Sequence, residues 1–289
     1  MENYKLGKQA AKYDERTFQL KKLLKVENLP PVLPSFDVDS SLTNMNDNHM
    51  FANDALGCCV IAGRGHVTLR FEDFEQDIII PISDNDIKNE YFAESGGQDT
   101  GLIMLDSLNE WRQKGWIAGG KSYNIYAYAQ VDPKEHDHVK YGVMLLRGLL
   151  IGLGLPISAQ NQNTWDIVPN IDPDGAFGSW GGHCVYIVAY NEIGPICITW
   201  GERKQMTWAF FDAYCDEAYV IVDNKNLWAN DTDPLNCELL YQYIVEIGNL
   251  PTPPNPNPPN PPPTPPAPKP WYQGIIDFFM AIWHAFGGK

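Results

Sequence analysis

The chain has 289 residues, with 36 Asp/Glu against 21 Lys/Arg and a formal net charge of −15. That length can bury one large core or two modest ones, and so strong a negative charge repels phosphate backbones, which argues against nucleic acid as a partner. With 44% hydrophobic and 12% aromatic residues, the chain as a whole is neither disordered nor collagen-like nor a coiled coil. Six cysteines with no C-x-x-C pair are too few for a disulfide scaffold and do not read as a zinc ribbon. Reduced, mostly buried thiols are expected, with neither cofactor nor metal.

Residues 1–29 read as a basic arm. The first 25 residues hold seven Lys/Arg against three Asp/Glu, which leaves about −19 on the rest. The segment from Lys5 to Lys25 is either a short amphipathic helix or an extended arm. The opening MENYKLGKQAAKYDERTFQL lacks the apolar stretch of a signal peptide, and no run reaches the ~20 apolar residues of a membrane span. Synthesis in a cytoplasm is therefore the expectation.

A folded body is expected over 30–250. Prolines keep 28–38 extended, because each disfavours helix in the residue before it. An Asn/Asp-rich loop then leads to a buried helix from Cys59 to Phe71, where Gly63 and Gly65 point to close packing against a neighbour. Leu102, Leu105, Leu108 and Trp111 recur at helical spacing within 101–116. A strand over 123–131, a helix over 138–149 and a buried strand over 151–158 follow. Segments 183–191, 195–201, 206–214 and 217–223 read as short strands between turns, and 235–248 closes the body as helix or strand. Helices first and strands later predict an α+β protein with two lobes.

The tail is a different object. Thirteen of the 23 prolines fall between Pro251 and Pro270. Proline lacks the N–H and fixes φ, so 251–270 is expected to be a polyproline II rod of roughly 60 Å at ~3.1 Å per residue. Residues 271–289 then form an amphipathic helix with Trp271, Ile275, Phe278, Phe279, Ile282 and Phe286 on one face. That face suits a membrane surface or a groove on a partner protein.

The chemistry concentrates at two places. Cys59 stands at a loop-to-helix junction, where free N–H groups and the helix dipole favour a thiolate. His183 stands where a strand begins, after Gly181 and Gly182. A thiol on one lobe facing an imidazole on the other makes a cysteine nucleophile. Cys58 is the alternative nucleophile. His66, seven residues after Cys59, reads as a core histidine. His136-Asp137-His138 reads as a solvated charged loop, and Asp172-Pro173-Asp174-Gly175 lacks most of a calcium loop.

These residues carry a family resemblance. Asn53 six residues before Cys59, then His183-Cys184-Val185, then Ile198-Thr199-Trp200-Gly201 resemble the Q-x(5)-C-W, H-A and N-S-W-G motifs of the papain-like cysteine peptidases, over about residues 30–225. The strings LG-x-C, GSWGGH and ITWG resemble divergent bacterial and phage members. The resemblance implies a papain-like two-lobe fold, a peptide or amide substrate, Cys59 as nucleophile, His183 as its proton carrier and Asn53 in the oxyanion hole. It departs from the family where the orienting Asn falls on Ile198, and neighbouring Thr199 is the candidate orienter of His183. Val60 stands in place of the Trp after the nucleophile. Residues 1–29 are short for an inhibitory pro-segment and are expected to act as a docking arm. The alternative is a lapsed papain-like body that acts structurally through its arms, as in a phage virion or tail.

Overall fold

The computed structural model describes residues 4–44, 48–169, 173–223 and 233–246. The polyproline segment, the amphipathic tail helix and Asp172 lie outside them. The body is the α+β, two-lobe arrangement: helices gather early in the chain, and an antiparallel sheet forms from its later part.

The helical lobe is built on α2 (Cys59–Gln76), with α3 (Asp84–Glu94) and α4 (Met104–Lys114) packed around it, after a single early turn α1 (Leu20–Leu23). Helix α3 starts at a capping box, in which Ser83 accepts from the Asp86 N–H while the Asp86 side chain accepts from the Ser83 N–H. Helix α2 is buried nearly all round, which explains its lack of an amphipathic stripe. Its Gly63 is a contact point: a Cβ there would lie 2.8 Å from Leu150 Cδ2 and 3.5 Å from Cys184 Sγ. Close packing is thus the use of that glycine.

Short strands β1 (Phe36–Asp37), β2 (Trp116–Ala118) and β3 (Lys121–Tyr123) precede the main sheet strands β4 (Ala127–Val131), β5 (Leu149–Leu155), β6 (Gly181–Tyr190), β7 (Pro195–Thr199), β8 (Glu202–Gln205) and β9 (Cys215–Val222). The order is β4-β9-β5-β6-β7-β8, with β1 added on β6. Strand β6 is central, and every residue from His183 to Tyr190 is buried. Its register sets His183 opposite Leu153 and Cys184 opposite Gly152. The Cys184 side chain meets α2 at Gly63.

Two buried arginines tie these layers. Arg64 on α2 reaches Glu90 (2.8 Å) and Glu94 (2.6 Å) on α3 and the Ser107 carbonyl (2.9 Å) on α4. Arg70 pairs with Asp39 at 2.7 Å, and Arg203 of β8 grips the same carboxylate at 2.9 Å. Burying a charged guanidinium is costly unless such partners are in place.

Several segments differ from expectation. Residues 206–214 contain helix α6 (Trp208–Tyr214), because Thr207 caps it by accepting the Phe210 N–H at 3.0 Å and because Phe210, Phe211 and Tyr214 bury one helical face. The segment 123–131 divides: Tyr123 ends a β2–β3 hairpin, and β4 begins only at Ala127. Residues 136–138 begin helix α5 (His136–Leu146), so they are not a charged loop. His136 Nε2 lies 2.7 Å from Asp212, and its ring stacks 4.3 Å from Trp208. The closing segment is helix α7 (Cys237–Glu246). Among the described residues no group of three His, Cys, Asp or Glu is placed to hold a metal.

Candidate active site

Cys59 is the first residue of α2 and is completely buried. Its Sγ accepts the Cys184 N–H at 3.4 Å, so the thiol sits against the start of β6, beside His183. Burial pushes the Cys59 thiol up; the N–H groups of Cys184, Gly7 and Val60 and the Lys8 charge favour the thiolate and oppose it. Cys58 caps α2 and lies 3.4 Å from the Phe51 carbonyl, with its thiol also pushed up by burial. It ties the preceding turn to the helix.

That turn carries Asn53. Phe51 and Ala52 adopt left-handed φ of 54° and 56°, a conformation uncommon for residues with a side chain, and Asn53 N–H closes on the Met50 carbonyl at 3.1 Å. The Asn53 side chain is buried and its Oδ1 has no hydrogen-bond partner. An amide with unused capacity is thus held by the turn that leads into the thiol.

His183 is likewise completely buried. Its Nε2 lies 2.7 Å from Thr199 Oγ1, and its Nδ1 has no partner. An orphaned buried N–H is rarer than an orphaned acceptor, so the favoured tautomer has Nε2–H donating to Thr199 and a bare lone pair on Nδ1. The hydrogen-bond partner of the imidazole is thus the Thr199 hydroxyl, one residue after Ile198. Trp200 stacks on the imidazole at 4.3 Å and 12° with a left-handed φ of 45°, and shields this hydrogen bond. Burial lowers the His183 pKa to about 3, so the ring is neutral. Thiol and imidazole share no hydrogen bond in this state.

The N-terminal arm explains the burial. Residues 4–9 run extended through the cleft. Lys8 N–H donates to the Gly182 carbonyl (3.0 Å) on one side; Leu102 N–H donates to the Gly7 carbonyl (2.8 Å) and Gln9 N–H to the Leu102 carbonyl (2.9 Å) on the other. Tyr4 stacks on Trp200 at 4.6 Å. The chain is so close that a Cβ on Gly7 would meet the Gly57 carbonyl at 1.8 Å, and one on Gly182 the Lys8 carbonyl at 2.1 Å. The expected docking arm is thus seated against its own body. Two surface cavities of about 340 and 520 Å³ lie beside the arm, and neither is lined by Cys59 or His183.

No protein-family model matches the sequence, and no match to a curated protein sequence is found. Solved structures do match. Xylellain, a cysteine protease from Xylella fastidiosa, superposes with a TM-score of 0.61 at 14% identity, over 77% of this chain and 97% of that one. The fold is papain-like. ProCathepsin B S9 from Trypanosoma congolense gives a TM-score of 0.53 at 12% identity, over 76% of this chain and 86% of that one. Procathepsin L 3 of Tenebrio molitor gives 0.51 at 11%, over 72% and 76%.

Within this papain-like fold, His66 is a core residue: it packs on Phe51 at 4.8 Å, and burial lowers its pKa well below the ordinary value. Sequence reasoning did not single out Trp200 as a shield, nor Gly7, Lys8, Asp216 and Glu217. One signal was available for the arm, the charge contrast between a basic N-terminus and an acidic body. Lys5 pairs with Asp99 at 2.7 Å, Lys8 with Asp216 at 2.6 Å and Lys12 with Asp106 at 2.6 Å.

Proposed function

We propose that the chain is a cysteine peptidase or amide hydrolase, with Cys59 as nucleophile and His183 as general base and acid. The observation that carries this reading is the bond from His183 Nε2 to Thr199, buried under Trp200, with Nδ1 left free on the strand whose next N–H touches the Cys59 sulfur. Nδ1 takes the thiol proton as Sγ attacks a carbonyl carbon and the C–S bond forms. The oxyanion is stabilised by the Asn53 amide and the Cys59 N–H at the start of α2. The intermediate collapses, the C–N bond breaks and the leaving amine takes the proton from His183. Water then hydrolyses the thioester. Thr199 acts by holding the imidazole in one tautomer. The extended arm between Gly182 and Leu102 supports a cleft that binds peptide backbone by strand addition.

The test is alkylation with iodoacetamide or an epoxide probe, followed by peptide hydrolysis with Cys59→Ala as control. Label on Cys59 and hydrolysis that disappears with the substitution are expected. Full hydrolysis in Cys59→Ala defeats the proposal.

A second reading is favoured by one observation, the occupied cleft with no thiol–imidazole hydrogen bond. In it the chemistry has lapsed, and the body serves a larger assembly, such as a phage virion, through residues 251–289. In either reading the face bearing Trp271, Ile275, Phe278, Phe279, Ile282 and Phe286 tethers the body to a protein partner or membrane. Deleting 251–289 separates the two: peptidase activity survives the deletion in the first reading, and assembly is lost in the second.

A further inference from the structure

Lys8 enters a pocket that is built for it. Its side chain is 1% exposed, yet its ammonium lies 2.6 Å from Asp216 and 3.1 Å from Glu217, itself 2% exposed. Tyr219 donates its hydroxyl to the other Glu217 oxygen at 3.0 Å and so fixes that carboxylate. Gly152 opens the wall: a Cβ there would stand 2.3 Å from Lys8 Cε and 2.7 Å from Glu217 Cγ, so any other residue would close the space. Glu217 Oε1 has no hydrogen bond and depends on the Lys8 charge. Burial alone would lower the Lys8 pKa, but Glu217 and Asp216 raise it overall, so the ammonium stays charged.

Lys8 is also the residue next to Gly7, whose N–H bears on the Cys59 sulfur. The pocket is therefore one residue away from the thiol along an extended chain. We propose that Asp216 and Glu217 form a specificity pocket for a lysine or arginine side chain of a peptide substrate, and that Lys8 occupies it as an internal stand-in. The proposal rests on the peptidase reading and deepens it by naming the substrate class. The physical reason is that a buried carboxylate without a cation is costly, whereas an apolar or acidic side chain in this pocket leaves Glu217 unpaired. Opening the cleft for a substrate removes Lys8, and only another cation restores the balance.

The test uses the full chain. Cys59 alkylation by iodoacetamide is timed in wild type, Lys8→Arg and Lys8→Met. The methionine variant is expected to react at least tenfold faster and the arginine variant within threefold of wild type, with unchanged circular dichroism in all three. Otherwise uncharged peptides carrying one Arg, Leu or Glu at each successive position are then added to Lys8→Met. At one position, the Arg peptide is expected to protect Cys59 at least tenfold better than Leu, and Glu not at all. That preference should vanish in Lys8→Met carrying Asp216→Asn and Glu217→Gln. Equal protection by Arg and Leu at every position, or an Arg preference that survives loss of both carboxylates, overturns the proposal. So does an alkylation rate in Lys8→Met no faster than in wild type. Protection does not require turnover, so cation preference without hydrolysis would sink the peptidase reading while leaving the pocket intact.

Discussion

Replacing Thr199 with valine keeps the shape of the side chain and deletes its hydroxyl. The 2.7 Å partner of His183 Nε2 is then gone from a completely buried site. A buried donor left unpaired costs about 1–3 kcal/mol. The ring cannot escape by moving its proton to Nδ1, since that nitrogen has no partner either. For a body of this size, 1–3 kcal/mol corresponds to a fall in Tm of about 2–10 °C. The functional loss is larger, because without Thr199 nothing fixes the ring or favours the proton on Nε2, and every ring that carries it on Nδ1 lacks the lone pair for the thiol proton; a positioned base contributes about 10²–10⁴ in rate. Thermal and urea unfolding give the first number, and kcat/KM on a peptide substrate the second. Imidazole nitrogen shifts in 15N NMR report the tautomer. Thr199→Ser keeps the hydroxyl and should recover most of the activity. If Thr199→Val matches wild type in both stability and rate, the hydroxyl does not orient His183 and the reasoning is wrong.

Gly63→Ala sets two effects against each other: a gain of about 1 kcal/mol in helix propensity, and a Cβ 2.8 Å from Leu150 Cδ2 that overpacks at about 1–3 kcal/mol. A net loss of up to about 2 kcal/mol is expected in urea unfolding, and a gain of a full kcal/mol would show that the helix–sheet contact yields freely. Arg64→Met leaves the half-buried Glu90 and Glu94 without their cation, so a loss of up to about 3 kcal/mol is expected, partly recovered when both glutamates become glutamines. For His183 the pH dependence has a definite sign. Its folded pKa of about 3 lies below its unfolded value near 6.5, so the unfolded chain binds the extra proton between them. Its contribution is full above pH 6.5 and is lost as pH falls toward 3, by at most about 1.4 kcal/mol per unit. Asp223, pushed up to about 8 by burial and Glu75, acts in the opposite direction over the same range. The difference between wild type and His183→Gln therefore isolates the histidine, and identical slopes from pH 7.5 to 4.5 would refute its burial as a neutral ring.

The parts of this fold that were legible in the sequence are those whose signals are local. The Cys59 helix carries its own start and its two packing glycines, and β5 and β6 are unbroken apolar runs. Residues 206–214 misled because their aromatic run satisfies a strand pattern; the deciding feature is a single capping bond from Thr207. The candidate site was legible in part because Asn53, Cys59, His183 and Thr199 each sit within a short motif. Missing was everything that depends on contact between distant segments. The arm meets Leu102 and Gly182 across more than ninety residues of chain, and no periodicity in MENYKLGKQ encodes an extended partner for a cleft.

The arm also decides how activity on the full chain should be read. Three backbone hydrogen bonds at about 1 kcal/mol each hold residues 7–9, and the buried Lys8 pair adds to them. Being part of the same chain, the arm competes at an effective concentration on the millimolar scale, which a micromolar peptide cannot match. The same strands exclude water from Cys59 and His183, and that exclusion drives both groups to their neutral forms. A catalytically sound site would therefore turn over slowly, through the fraction of molecules whose arm has opened, and would show no ion pair in the closed state. A lapsed site would look inert with the arm removed as well. Weak hydrolysis by wild type thus says nothing against the machinery, whereas hydrolysis that rises when Lys8→Met loosens the arm, and disappears when Cys59→Ala is added, follows only if the thiol is live beneath it.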